Sequence, residues 1–68
     1  MGVLIIREMV GTSSTSWSDA ARQAVATASR TVRNIREVEV VKSKARVENG
    51  EIVEYQVEVK IHFEYEGG

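Results

Sequence analysis

The stretch "RNIREVEV", residues 33–40, crowds two arginines and two glutamates into a seam where a helix-like pattern gives way to a strand-like one. Such a seam is a natural place for a ligand, and Glu37 at its centre is the residue to explain. Other polar side chains are less well placed for chemistry. Glu54, Glu58 and His62 share one side of a strand-like run, but consecutive members stand about 13 Å apart on an extended chain. That is too far for one metal ion within a chain, although symmetry could bring copies together. Ser13, Ser14, Ser16 and Ser18 cluster before a helix, yet the sole histidine, His62, is at the far end of the sequence. No nucleophile–base pair results, and the chain is expected not to be an enzyme. The "GTSS" run could cradle a phosphate on free amides at a helix start. It lacks the glycines and lysine of a P-loop, and a turn into a capped helix is the simpler reading. Trp17 is expected to staple that loop or fill an interface, ahead of stacking on a ligand.

Composition limits what must position these residues. The chain has 68 residues, no cysteine and no proline. It reads as a single domain, 1–68, with no room for a second. A chain this short buries only a modest share of its surface. Disulfides and thiolate metal sites are ruled out by the absent cysteines, which leaves oligomerisation as the expected means of stabilisation. Nine Lys plus Arg face ten Asp plus Glu, so the basic surplus of a nucleic-acid binder is missing. No apolar run is long enough to span a membrane. "MGVLIIREMVG" is read as a strand and not as a signal peptide, and it does not fit the myristoylation pattern. The expected location is the cytoplasm.

Four elements follow. Val3 to Val10 is a strand with apolar residues on both alternating sets, so it is expected to be buried on both faces. Ser16 begins a helix, with Asp19 at the spacing of a capping box. Ala21, Ala24, Val25, Ala28 and Val32 recur at helical spacing, and Arg30 and Arg33 are placed in the last turn. The mostly alanine stripe lets the helix lie close to its partner but removes little area from water. Ile52 to Tyr65 alternates without a break, apolar from Val53 to Tyr65 and polar from Glu54 to Glu64. It is far longer than an ordinary strand, so part of it must meet another element or another subunit.

The hairpin before it has two possible registers. A two-residue Asn49-Gly50 turn would set Glu48 against Glu51 and the cations Lys42, Lys44 and Arg46 against Val57, Tyr55 and Val53. A three-residue loop, Glu48-Asn49-Gly50, with a bulge at Gly50 sets Ala45 against Val53, Lys44 against Glu54, Lys42 against Gln56 and Val41 against Val57. Polar then meets polar, and this register is the expected one. It strands Val38 and Val40 on the polar face unless a bulge near Val41 flips the phase or an interface covers them. The sum is an α+β protomer of β-α-β-β order.

"VGTSSTSWSDA" (10–20), "TVRN" (31–34), "EVVK" (39–42), "VENG" (47–50) and "YQVEVKIHF" (55–63) together resemble the dodecin family. The likeness runs through nearly the whole chain in order. It implies a three-stranded antiparallel sheet wrapped around one helix, with copies assembling into a hollow dodecamer. It also implies a non-enzymatic flavoprotein store, with riboflavin or FMN bound in pairs between symmetry-related subunits. Flavin-binding members carry a ring-stacking tryptophan after the helix; Glu37 stands there in this chain. Gln56 matches the glutamine that bonds the flavin edge, and Lys44 stands where relatives often carry an arginine near the ligand. Some dodecins lack the tryptophan and are not flavin binders, and one type is associated with calcium. Glu37, Glu39 and Glu58, repeated around symmetry axes, would supply the oxygen donors of a hard cation. Otherwise Glu37 is expected to pair with a neighbouring arginine.

Overall fold

The computed structural model describes residues 2–65. Strand β1 (Leu4–Ser13), helix α1 (Trp17–Ala28), strand β2 (Ile35–Glu48) and strand β3 (Glu51–Glu64) follow one another in the expected β-α-β-β order. The strands form one antiparallel sheet in the order β1-β3-β2, so the long alternating strand is central. Ile61, Val59 and Val57, on one face of β3, are almost wholly removed from water. Helix α1 covers them with Ala20, Ala24 and Ala28. The helical stripe is thus one position over from Ala21, which packs at the core's edge with Val25.

Alanine lets the helix come close, and glycine lets it come closer. A Cβ on Gly11 would lie 2.0 Å from the carbonyl oxygen of Ala20. No side chain fits there, so the absence of a Cβ at Gly11 sets the separation of α1 from β1. The loop between them is internally bonded. Ser16 caps the helix through its Oγ, which accepts from the amide of Asp19 at 3.0 Å. Ser13 Oγ donates to the Asp19 carboxylate at 2.7 Å and accepts from the amide of Thr15 at 2.9 Å. Strand β1 runs on through Gly11, Thr12 and Ser13, so the "GTSS" run is half strand and half cap. The Asp19 carboxylate and two serine hydroxyls occupy the helix start, where a phosphate would otherwise sit.

Two expectations about the edges of the fold are corrected. The helix ends at Ala28 with Ser29 as C-cap, and its last turn holds no basic residue. Arg30 and Arg33 lie beyond it. Within the protomer β1 is buried on one face only. Ile5 and Met9 turn to the helix side, while Leu4, Ile6 and Val10 are half exposed on the other.

The hairpin register is also corrected. Asn49 and Gly50 form a two-residue turn, both at positive φ (54° and 79°), and Glu48 does face Glu51. This is the tight turn favoured by Asn-Gly, whose backbone twist matches the flanking strands. The clash of cations with apolar residues is avoided further along. Val53 bulges out of β3, so Arg46 faces Glu54, Lys44 faces Gln56 and Lys42 faces Glu58. Polar still meets polar, two residues away from the expected partners. A second bulge, at Val41, returns Val40 to Val59 and Val38 to Ile61, the phase flip that the stranded valines demanded. A third, at Arg36, sets Glu37 opposite His62. Bulges bend and twist the strand that carries them, which suits a sheet curling around a helix.

Candidate functional site

The sheet face turned away from the helix carries every candidate ligand residue. Cross-strand pairing places Glu37, Glu39, Lys42, Lys44 and Arg46 of β2 on it, opposite His62, Lys60, Glu58, Gln56 and Glu54 of β3. Strand β1 adds Leu4, Ile6, Glu8, Val10 and Thr12. One flank of this face is therefore apolar and the other charged.

The candidates fall into two groups. Lys44 and Gln56 are direct cross-strand neighbours. The Gln56 side-chain amide donates to Glu54 at 2.9 Å, and Glu54 also lies 3.6 Å from the Arg46 guanidinium. Glu37 belongs to the other end of the sheet. Its partner His62 is six residues along β3 from Gln56, roughly 20 Å on an extended strand. The three positions that the family likeness assigns to flavin are thus not gathered in one protomer.

At the Glu37 end the structure shows a contact that spacing alone did not reveal. His62 is mostly buried, and its Nε2 lies 3.4 Å from a Glu39 carboxylate oxygen without hydrogen-bond geometry. Glu37 itself is exposed, and among the described residues it joins no ion pair. The expected pairing with a neighbouring arginine does not form within the protomer. Arg36, displaced by its bulge, instead reaches across to Glu64 at 2.8 Å.

The candidate metal ligands share the face but not a centre. Glu37 and Glu39 are alternate residues on β2, about 7 Å apart along the strand. Glu58 lies beyond them, opposite Lys42. Among the described residues no three acidic, histidine or cysteine side chains gather to hold an ion. Only carboxylates from further copies could complete such a set.

Trp17 does what a staple does. Its indole N–H donates to the Lys44 carbonyl at 3.1 Å, and its ring meets Tyr55 edge-on at 4.7 Å. The helix start is thereby tied to the backbone of the residue that carries the Lys44 side chain. The partner was not legible, because Trp17 and Lys44 are far apart in the sequence and the contact is to backbone.

Three antiparallel strands packed on one helix, with a charged and apolar outer face, define a small α+β fold of β-α-β-β order. The chain belongs to the dodecin family: residues 3–66 match the family model. It is 32% identical over 63 residues to calcium dodecin of Mycobacterium tuberculosis, covering 93% of this chain and 89% of that one. Dodecin from Streptomyces coelicolor superposes with a TM-score of 0.94 at 33% identity, covering 98% of this chain and 96% of that chain. The solved M. tuberculosis protein, described as a calcium-chelating antigen with a novel calcium-binding site, gives 0.82 at 31% identity, with 97% and 94% covered. Among the described residues no helix is long and apolar enough to cross a membrane.

Proposed function

We propose that this chain is a non-enzymatic, dodecameric binding or storage protein for small molecules, acting in the cytoplasm, with affinity for riboflavin and FMN weakened or absent. The observation that carries the flavin part is Glu37: an exposed carboxylate at the position where flavin-binding relatives place a stacking ring. Stacking on an aromatic side chain contributes roughly 1–3 kcal/mol, and about 1.4 kcal/mol is tenfold in affinity. Its loss weakens binding by about one to two orders of magnitude. A carboxylate there also repels the phosphate of FMN and is costly to bury unpaired. Gln56 and Lys44 keep their places, but they stand too far along the sheet to serve a ring lying on Glu37 of the same protomer. A flavin site would need two protomers.

Exposed apolar side chains support assembly. Leu4, Ile6 and Val10 on one face, and Val38 and Val40 on the other, are each 42% exposed or more in the isolated protomer. The core is six residues, three of them alanine, which is little for a free monomer. Fluorescence titration with riboflavin and FMN tests the ligand reading: no quenching at micromolar flavin is expected, and sub-micromolar affinity would overturn it. Light scattering tests the assembly, and a mass near 7.6 kDa at micromolar protein would sink it.

A second reading has its own support in the 32% identity to calcium dodecin. In it the chain is a flavin-free shell whose Glu37, Glu39 and Glu58 carboxylates, supplied by several copies, bind calcium or a similar divalent cation. A bound cation stabilises the folded state by mass action. Chelation should then lower the melting temperature, and an unchanged melting temperature and assembly would end this reading.

A further inference from the structure

We propose that the concavity beyond the C-terminal end of α1 is a binding site for a phosphate-class oxyanion, carried on a small molecule with an apolar or aromatic part. It is distinct from the Glu37 and Lys44–Gln56 positions and does not depend on how those are read. The cavity holds about 320 Å³ and is lined by Arg7, Arg33, Thr31, Val32, Phe63, Glu64 and Tyr65.

Arg7 is the anomaly that identifies the site. Along β1 the helix-side positions are Ile5, Arg7, Met9, Gly11 and Ser13, facing Phe63, Ile61, Val59, Val57 and Tyr55. A guanidinium therefore sits in the apolar row, directly opposite Ile61, which is fully buried. Its stem can lie along that surface only by sending the charged head past the end of the helix. The helix stops at Ala28, so the head emerges into the concavity, which Arg33 and Thr31 also line.

Two structural roles could occupy Arg7 and Arg33 among the described residues, the helix C-terminus and an ion pair. Three carbonyls at the helix C-terminus are already bonded by the chain that follows it. The Val25 carbonyl accepts from the amide and hydroxyl of Ser29, Thr27 accepts from the amide of Arg30, and Ala28 from those of Thr31 and Val32. The carboxylate that lines the cavity, Glu64, is bonded to Arg36 at 2.8 Å. Among the described residues neither Arg7 nor Arg33 joins an ion pair. Two guanidiniums beside a hydroxyl form a donor set matched to a tetrahedral oxyanion, since each can give two parallel N–H bonds. Phe63, Val32 and Tyr65 give the same cavity an apolar wall for the rest of the molecule. Glu64, which also lines the cavity, is engaged by Arg36 at 2.8 Å.

The test uses the full chain at low salt, with inorganic phosphate, phenyl phosphate, benzoate and phenol as probes in calorimetric titration. Phenyl phosphate should bind most tightly and phosphate more weakly, both with affinity falling as salt rises. Benzoate should bind at least about tenfold less tightly than phenyl phosphate, since a carboxylate monoanion uses fewer of the donors. Arg7→Gln and Arg33→Gln, both exposed, should each weaken phenyl phosphate about tenfold or more while light scattering shows unchanged assembly. Should one variant fail to fold, the other decides. No binding by either phosphate probe at millimolar concentration overturns the proposal, as does benzoate or phenol binding as tightly as phenyl phosphate. Unaltered affinity in a folded arginine variant also overturns it.

Discussion

The two faces of β3 are made of consecutive residues and differ in almost everything else. Toward the helix, Val57, Val59 and Ile61 are 0–2% exposed and touch alanines. Away from it, Gln56, Glu58 and Lys60 are only half buried and His62 is mostly buried, and all meet charged neighbours on β2. One face is completed by its own chain. The other is bordered by exposed Leu4, Ile6 and Val10 and is incomplete as it stands. The first face holds the core of the protomer; the second holds the candidate ligand residues.

Substitutions on each face can break or sharpen that division. The largest effect is expected where helix and sheet touch through backbone. Gly11→Ala puts a methyl group 2.0 Å from the Ala20 carbonyl, so α1 must lift off its sheet. Loss of the folded assembly by circular dichroism and light scattering is expected, and a soluble, native-like variant would show that the two elements can separate freely. Next is Ile61→Ala, a truncation in the centre of the covered face, which should cost roughly 2–5 kcal/mol. Thermal unfolding at fixed protein concentration measures it, since the stability of an oligomer depends on concentration.

On the open face the readout changes from stability to binding. Glu37→Trp should raise flavin affinity about 10- to 100-fold with little change in melting temperature. No gain in quenching would mean that residue 37 is not the determinant. The smallest effect is expected from Arg36→Ala. Its bond to Glu64 joins side chains that are 57% and 43% exposed, and such pairs contribute at most about 1 kcal/mol. A larger loss would show that the bulge at Arg36 depends on the pair.

The same division explains what could be read from the sequence. The alternation of β3, the Ser16–Asp19 cap and the alanine stripe all report contact within the chain, where burial and local bonds impose a period. The element order and the phase of the hairpin followed from them. The pairing itself slipped by two, because polar-to-polar matching fixes which face a residue takes but not which partner it meets. Asn49-Gly50 took its own preferred turn, and the bulge at Val53 absorbed the difference. The end of the helix was also misjudged: Arg30 and Arg33 suit a helix terminus by charge, but Ser29 closes the helix first. The site was legible only as positions. Glu37, Lys44 and Gln56 stand on one face of the sheet, but in two separate groups. Arg7, opposite Ile61, gave a signal in the sequence as a charge within an apolar strand, and only the paired register shows what it faces.

The bulge at Val53 has a further consequence for the tip of the hairpin. Val47 faces Ile52 and Arg46 faces Glu54, so Val53 is a spare link between two well-matched lengths of ladder. Removing it would leave every later pairing, including Lys44 with Gln56, where it is. The tip therefore has one residue of slack. A change of length there can be taken up before it reaches Lys44 and Gln56, and the turn is free to vary without moving those candidate residues.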